Sequence, residues 1–316
     1  MNGWINYLFN AIALGMTFLY GSVGEILTEK AGHLNLGIPG IMCMGGAGGC
    51  IALQLMYRSG IPPMLIVIIS ILAAFLSGVL MGAIYSFLTV TLHANQNVTG
   101  LAMTTFGVGM MKFIISKIRP LQYMYALDYF RFPFSDRTDS LKYWGVMVYL
   151  AVVVAIVASL VLSRTRVGLH LRAVGENPAT ADAVGINVTA YKYGATCIGS
   201  GIAALGGLFY IMDYSGSPEA YLNIEPFGWL AIALVIFALW RPYLSFFGSM
   251  IFGALFVAGS FIPGLLGLTL PMSATPLLEM LPYVVTILVL IITSIRKKRE
   301  NQPPASLGQS YFREER

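Results

Sequence analysis

The stretch GLHLRAVGENPATADAVGI, residues 168–186, decides how this chain is read: it is a polar interruption between two long apolar runs. It carries its own helix signals. Asn177 is placed to act as an N-cap, Pro178 stands at the first helical position, and Gly185 closes the turn at the far end. A short capped helix held between membrane spans suits a protein that takes force from a soluble partner. An ordinary solvated loop fits the same residues.

The flanking sequence identifies the solvent. The chain has 316 residues, 57% of them hydrophobic and 10% charged. Soluble domains carry about 25% charged residues. A mean hydropathy of +0.75 would put too much apolar surface in water, so the predicted surroundings are lipid. Apolar runs predict helices near 5–25, 35–56, 62–90, 98–116, 144–163, 193–212, 226–240, 243–262 and 282–295. The fold class is therefore all-α and polytopic, with about nine (8–10) transmembrane helices and one short cytoplasmic helix. The run 62–90 is long enough to be tilted or to hide a break. Residues 1–299 form the predicted membrane domain, with a cytoplasmic connection at 164–190. The polar tail 300–316, containing Pro303-Pro304, reads as mobile and cytoplasmic.

Basic residues set the orientation. Lys30, Arg164, Arg166, Arg172, Arg241 and the cluster 296–299 flank one set of ends, which the positive-inside rule makes cytoplasmic. The 117–142 connection also holds basic residues, offset by Asp128, Asp136 and Asp139. The net charge of +5 is thus a membrane-anchor pattern and not a nucleic-acid footprint. Cys43, Cys50 and Cys197 read as small packing residues without metal-ligand spacing. Small residues at helical spacing, in 45–49, at Gly78 and Gly82, and at Ser245, Ser249 and Gly253, predict close helix contacts.

No Walker sequence, catalytic triad or zinc motif occurs, so no catalytic or metal-binding residue is assigned. Carboxylates such as Glu25, Asp213, Glu219 and Glu225 fall at the edges of the runs, and His33, His93 and His170 sit at span ends. Ion-coupled carriers usually bury such groups. This leaves a passive pore, or the translocation half of a transporter powered by another chain. A neutral lining suits a neutral polar cargo. The candidates for cargo contact are Asn35, then Asn95, Gln96, Asn97 and Thr99, with Phe106 and Trp229 able to stack on a ring. Asn35 could equally cap a helix, and 95–97 could be a plain turn.

Four stretches together resemble a known family. They are GEILTEKAGHLNLGIPG at 24–40, ANQNVTG at 94–100, the 168–186 segment, and GWLAIAL at 228–234 followed by Arg241-Pro242 and FGAL at 252–255. The chain resembles the membrane permeases of bacterial ATP-binding-cassette importers, in the group for simple sugars and nucleosides related to ribose and branched-chain amino acid permeases. Pro39 stands where that family usually has an acid, and Thr105 where it tends to have Asn. The resemblance implies a bacterial inner-membrane subunit with a cytoplasmic C-terminus. It implies three kinds of partner: a separate ATPase that carries ATP and magnesium, a second, non-identical permease, and an external binding protein or lipoprotein. No cofactor falls on this chain. The 168–186 segment matches the family's coupling loop, which puts Arg172, Glu176, Asn177, Asp182 and Gly185 at the ATPase contact. A self-contained facilitator or secondary carrier for a small neutral solute is the alternative.

Overall fold

In the computed structural model, residues 3–57, 59–118, 130, 144–267, 277–278, 280–296 and 302–312 are described. The order is α1 (Gly3–Lys30), α2 (Ile38–Met56), α3 (Pro63–Ser86), α4 (Gln96–Ile115), α5 (Val146–Arg164), α6 (Arg166–Glu176), α7 (Pro178–Ala183), α8 (Val188–Leu208), α9 (Ile224–Phe237), α10 (Pro242–Leu265) and α11 (Leu281–Arg296). Among the described residues there is no strand. Among the described residues eight helices are long and apolar enough to cross a membrane, and α11 corresponds to the ninth expected run. The protein is a multi-pass membrane protein. The basic residues expected in the 117–142 connection and at 297–299 lie outside the described residues.

Glycine governs the packing, because lipid gives helices no hydrophobic reason to associate and leaves close van der Waals contact to do so. The buried helices α1 and α8 run antiparallel through the centre, touching where Gly24 meets Gly199. Gly45 of α2 lies so near the Ala204 backbone of α8 that a Cβ there would collide with the carbonyl. Gly78 and Gly82 of α3 meet α8 at Ser200 and its neighbours. On the opposite flank, Ser245 bonds Ser22, while Gly15 and Gly253 bring α1 against α10. All three small-residue patterns read from the sequence are contact faces.

The helices differ from the expected runs at several places. Helix α1 runs to Lys30 and not to 25, so Glu25 and Glu29 lie within the helix and are buried, not at an edge. The long third run stays one continuous span, Pro63–Thr91, in which α3 gives way to a π-helical segment at Phe87–Thr91. A second π segment, Phe209–Ser215, extends α8. Finally, residues 166–176 of the polar interruption form a helix of their own, α6, capped by Thr165, whose hydroxyl accepts from the Gly168 N–H.

The turn between α1 and α2 folds back into the bundle. The Asn35 N–H reaches Glu25 Oε1 at 3.0 Å. Glu25 lies five residues before the end of α1, so Asn35 sits about 7 Å inside that end at 1.5 Å per residue. Irregular backbone at such depth persists only where protein covers it, and His33 and Asn35 are fully buried.

Candidate functional site

One end of the bundle gathers the functional candidates. It carries the end of α1, the start of α2, the ends of α3 and α5, helices α6 and α7, the start of α8 and the α9–α10 turn. Lys30, Arg172 and Arg241 line a groove of about 690 Å³ there, with Glu176, Leu169 and Trp240. Three of the basic residues chosen from the sequence, Lys30, Arg172 and Arg241, therefore share one groove.

At this end of the bundle α7 has the predicted geometry. The Asn177 side chain accepts from the Thr180 N–H at 3.0 Å, Pro178 opens the helix, and Gly185 takes φ +88°, a left-handed conformation that glycine adopts freely. The five residues expected at the docking contact do not form one cluster. Arg172 and Glu176 line the basic groove, while Asp182 and Gly185 line a different cavity on the other side. Arg172, Glu176, Asn177 and Gly185 are exposed, and Asp182 is half-buried. The Asp182 carboxylate accepts a hydrogen bond from the Tyr311 hydroxyl at 3.0 Å.

That bond comes from the tail. The polar composition predicts a mobile segment, yet residues 302–312 pack across this face. The Ser306 N–H and hydroxyl both donate to the Gly175 carbonyl at the end of α6. The Gln309 carbonyl accepts from Gln96 Nε2 at 3.4 Å, and Phe312 packs on His93 with ring centroids 4.4 Å apart. The orphan carbonyls of a helix end need donors, and here the tail supplies them.

Beneath the face lies a buried polar hub built around the infolded turn. His33 Nε2 and Nδ1 each lie 2.7 Å from a threonine hydroxyl, Thr89 and Thr196 respectively. Thr89 Oγ1 already donates to the Tyr85 carbonyl, so it must accept from Nε2–H, and in the neutral ring Nδ1 accepts from the Thr196 hydroxyl. Burial, then the charge of Lys192, pushes the His33 pKa down to about 3. Gln96 Oε1 accepts from the Leu34 N–H at 2.8 Å, the Tyr85 hydroxyl donates to the Leu34 carbonyl, and Thr104 donates to the Leu36 carbonyl at 2.9 Å. Glu29 accepts from the Trp240 indole. Leu239 and Trp240 have φ +52° and +55°, strained for side-chain-bearing residues, and the indole bond helps to hold that turn.

The residues expected along the pathway separate in the same way. Asn35 is buried; its Oδ1 accepts from the Gly37 N–H at 2.9 Å and shapes the turn. Asn95 caps α4 through the Val98 N–H at 3.1 Å. Gln96 is buried in the hub, Thr99 is buried on α4, and Asn97 is exposed. Phe106 is half exposed, and Trp229 is partly buried. Gly107 and Gly228 grip α2 from its two sides at Gly40 and Pro39, so Phe106 and Trp229 lie at matching depth. The sequence reading missed the His33 bridge, the Glu29–Trp240 bond and the tail contacts. The 24–40 motif was the available signal for the first two. Nothing in the tail's composition signalled the third.

Known proteins share this arrangement of sequence. A family model described as branched-chain amino acid transport system / permease component matches residues 7–292. A nucleoside ABC transporter permease protein of Lactococcus lactis is 31% identical, covering 90% of each chain. A putative glucose ABC transporter permease protein of Haloferax volcanii is 30% identical, covering 97% of this chain and 98% of its own. A guanosine ABC transporter permease protein of Bacillus subtilis is 29% identical over 85% of this chain and 86% of its own. With the family model spanning nearly all of its helices, the chain belongs to the branched-chain amino acid transport system permease family.

Proposed function

We propose that this chain is one translocation subunit of an ATP-driven importer for a nucleoside or related small neutral solute. The observation that carries this reading is the capped helix α7, which follows α6 at the bundle end where Lys30, Arg172 and Arg241 share a groove. Two relatives are named for nucleoside or guanosine transport. The basic face is then cytoplasmic, with the C-terminus on the same side. A separate ATPase docks on α6 and α7 through Arg172, Glu176, Asn177 and Gly185, and holds the ATP and magnesium. An external binding protein or lipoprotein delivers cargo, and a second, non-identical permease completes the pathway. Phe106, half exposed, and Trp229, partly buried at matching depth, are the residues to line it.

The buried carboxyls Glu25 and Glu29 favour a second reading, a proton-coupled carrier. Each also has a structural contact: Glu25 accepts from the Asn35 N–H and Glu29 from the Trp240 indole. Reconstitution separates the two. Vesicles holding both permeases, the binding protein and the ATPase should accumulate labelled nucleoside only with ATP. Accumulation without the ATPase, abolished by an ionophore, would overturn the importer reading.

A further inference from the structure

A cavity of about 440 Å³ lies between the tail, α7 and the start of α8. His33, Thr89 and Gln96 line it from within the bundle, Asn187, Thr189 and Lys192 from α8, Asp182 from α7, and Ser310 and Tyr311 from the tail. Lys192 is only 3% exposed. Among the described residues it has no hydrogen-bond or ion-pair partner. Its ammonium opens onto the cavity and faces no counter-charge among the described residues, so an anion bound there would gain a charge-assisted contact. The first turn of α8, a helix of 21 residues, forms the same wall, and a helix N-terminus also favours negative charge. Two independent features of one cavity thus ask for an anion at the Lys192 end.

The other end has the opposite character. The Asp182 carboxylate lies there, and Tyr311 bonds to it. A carboxylate repels a second anion but accepts from hydroxyl groups. The volume falls within the range of small-molecule sites and is several times that of a bare phosphate ion. Neutral His33, with both nitrogens engaged by threonines, adds no charge. We propose that this cavity binds a phosphate monoester of a small polyhydroxylated molecule, with Lys192 on the phosphoryl group and Asp182 toward the hydroxyls. The ligand reaches the site past exposed Asn187 and Thr189 and lies under the tail residues Ser310 and Tyr311. The inference rests on the cavity and does not depend on the importer reading.

The test is equilibrium binding to the full chain in lipid nanodiscs, with ribose 5-phosphate as probe and ribose and inorganic phosphate as comparison arms. Ribose 5-phosphate should bind saturably and more tightly than inorganic phosphate, and ribose should not compete. Lys192→Gln should weaken binding by about tenfold or more, the scale of one lost charge-assisted contact, while Lys192→Arg retains it. Hydrogen exchange at 306–311 should slow when the ester binds. Equal affinity in Lys192→Gln, equal binding of ribose, or no saturable binding overturns the site. Inorganic phosphate binding as tightly as the ester overturns the polyol half. If Lys192→Gln fails to fold, amine-reactive labelling of Lys192 in the wild-type chain decides the matter: ribose 5-phosphate should protect it, and unchanged labelling overturns the proposal.

Discussion

His33 shows how much one side chain can organise without being readable in advance. It holds α3 and α8 together through Thr89 and through Thr196, 163 residues away, and contacts that distant leave no local pattern in the sequence. Asn177 is the converse: its partner is Thr180, so cap and helix could both be read from neighbouring letters. The neutral His33 ring makes a pH prediction. Its pKa near 3 in the folded chain lies below the ordinary value near 6.5. Between those limits the unfolded chain takes up a proton that the folded chain refuses. Stability therefore falls as pH drops through 6.5 toward 3, by at most about 1.4 kcal/mol per pH unit from this group. Melting curves at about pH 7.5 and 5.5 check it. The wild type should lose more on acidification than His33→Gln, which keeps a neutral donor and acceptor. Equal losses would remove His33 as the cause.

At the level of elements, apolar runs located the spans because lipid demands length and hydrophobicity from every crossing helix. They could not locate where α1 stops. Its last two turns carry Glu25 and Glu29; Glu25 reads as an edge residue in the sequence, while in the fold it accepts from the Asn35 N–H and Glu29 from the Trp240 indole. Nor could they show α6, whose helix is amphipathic and lies outside any span. Helix α7 has six residues and depends on its cap, since so short a helix is otherwise unfavourable. Asn177→Ala should cost about 1 kcal/mol locally. Hydrogen exchange across 178–183 should then quicken by about fivefold, the factor that 1 kcal/mol sets. In the assembled transporter, cargo-stimulated ATP hydrolysis should fall with it. If exchange quickens while stimulated hydrolysis is unchanged, α7 does not carry the coupling.

For the whole molecule, α3, α4 and α5 keep their outer faces uncovered, while α1 and α8 are enclosed. Lipid can cover apolar residues such as Leu76 and Ile156, but the second permease of the proposed importer needs a face of its own. The α4 and α9 flanks of α2, with Phe106 and Trp229 at one depth, are the expected seam. Cysteines at Phe106 and Trp229 should cross-link to the second permease in membranes, and a cysteine at Ile156 should not. The reverse pattern would move the seam to α5. The tail adds a consequence of a different kind. Residues 302–312 leave the ribosome after α11, yet they finish a surface founded on Leu34, Gln96 and Gly175. That surface therefore reaches its final form only once α1 through α11 have been made, after the residues on which it is built.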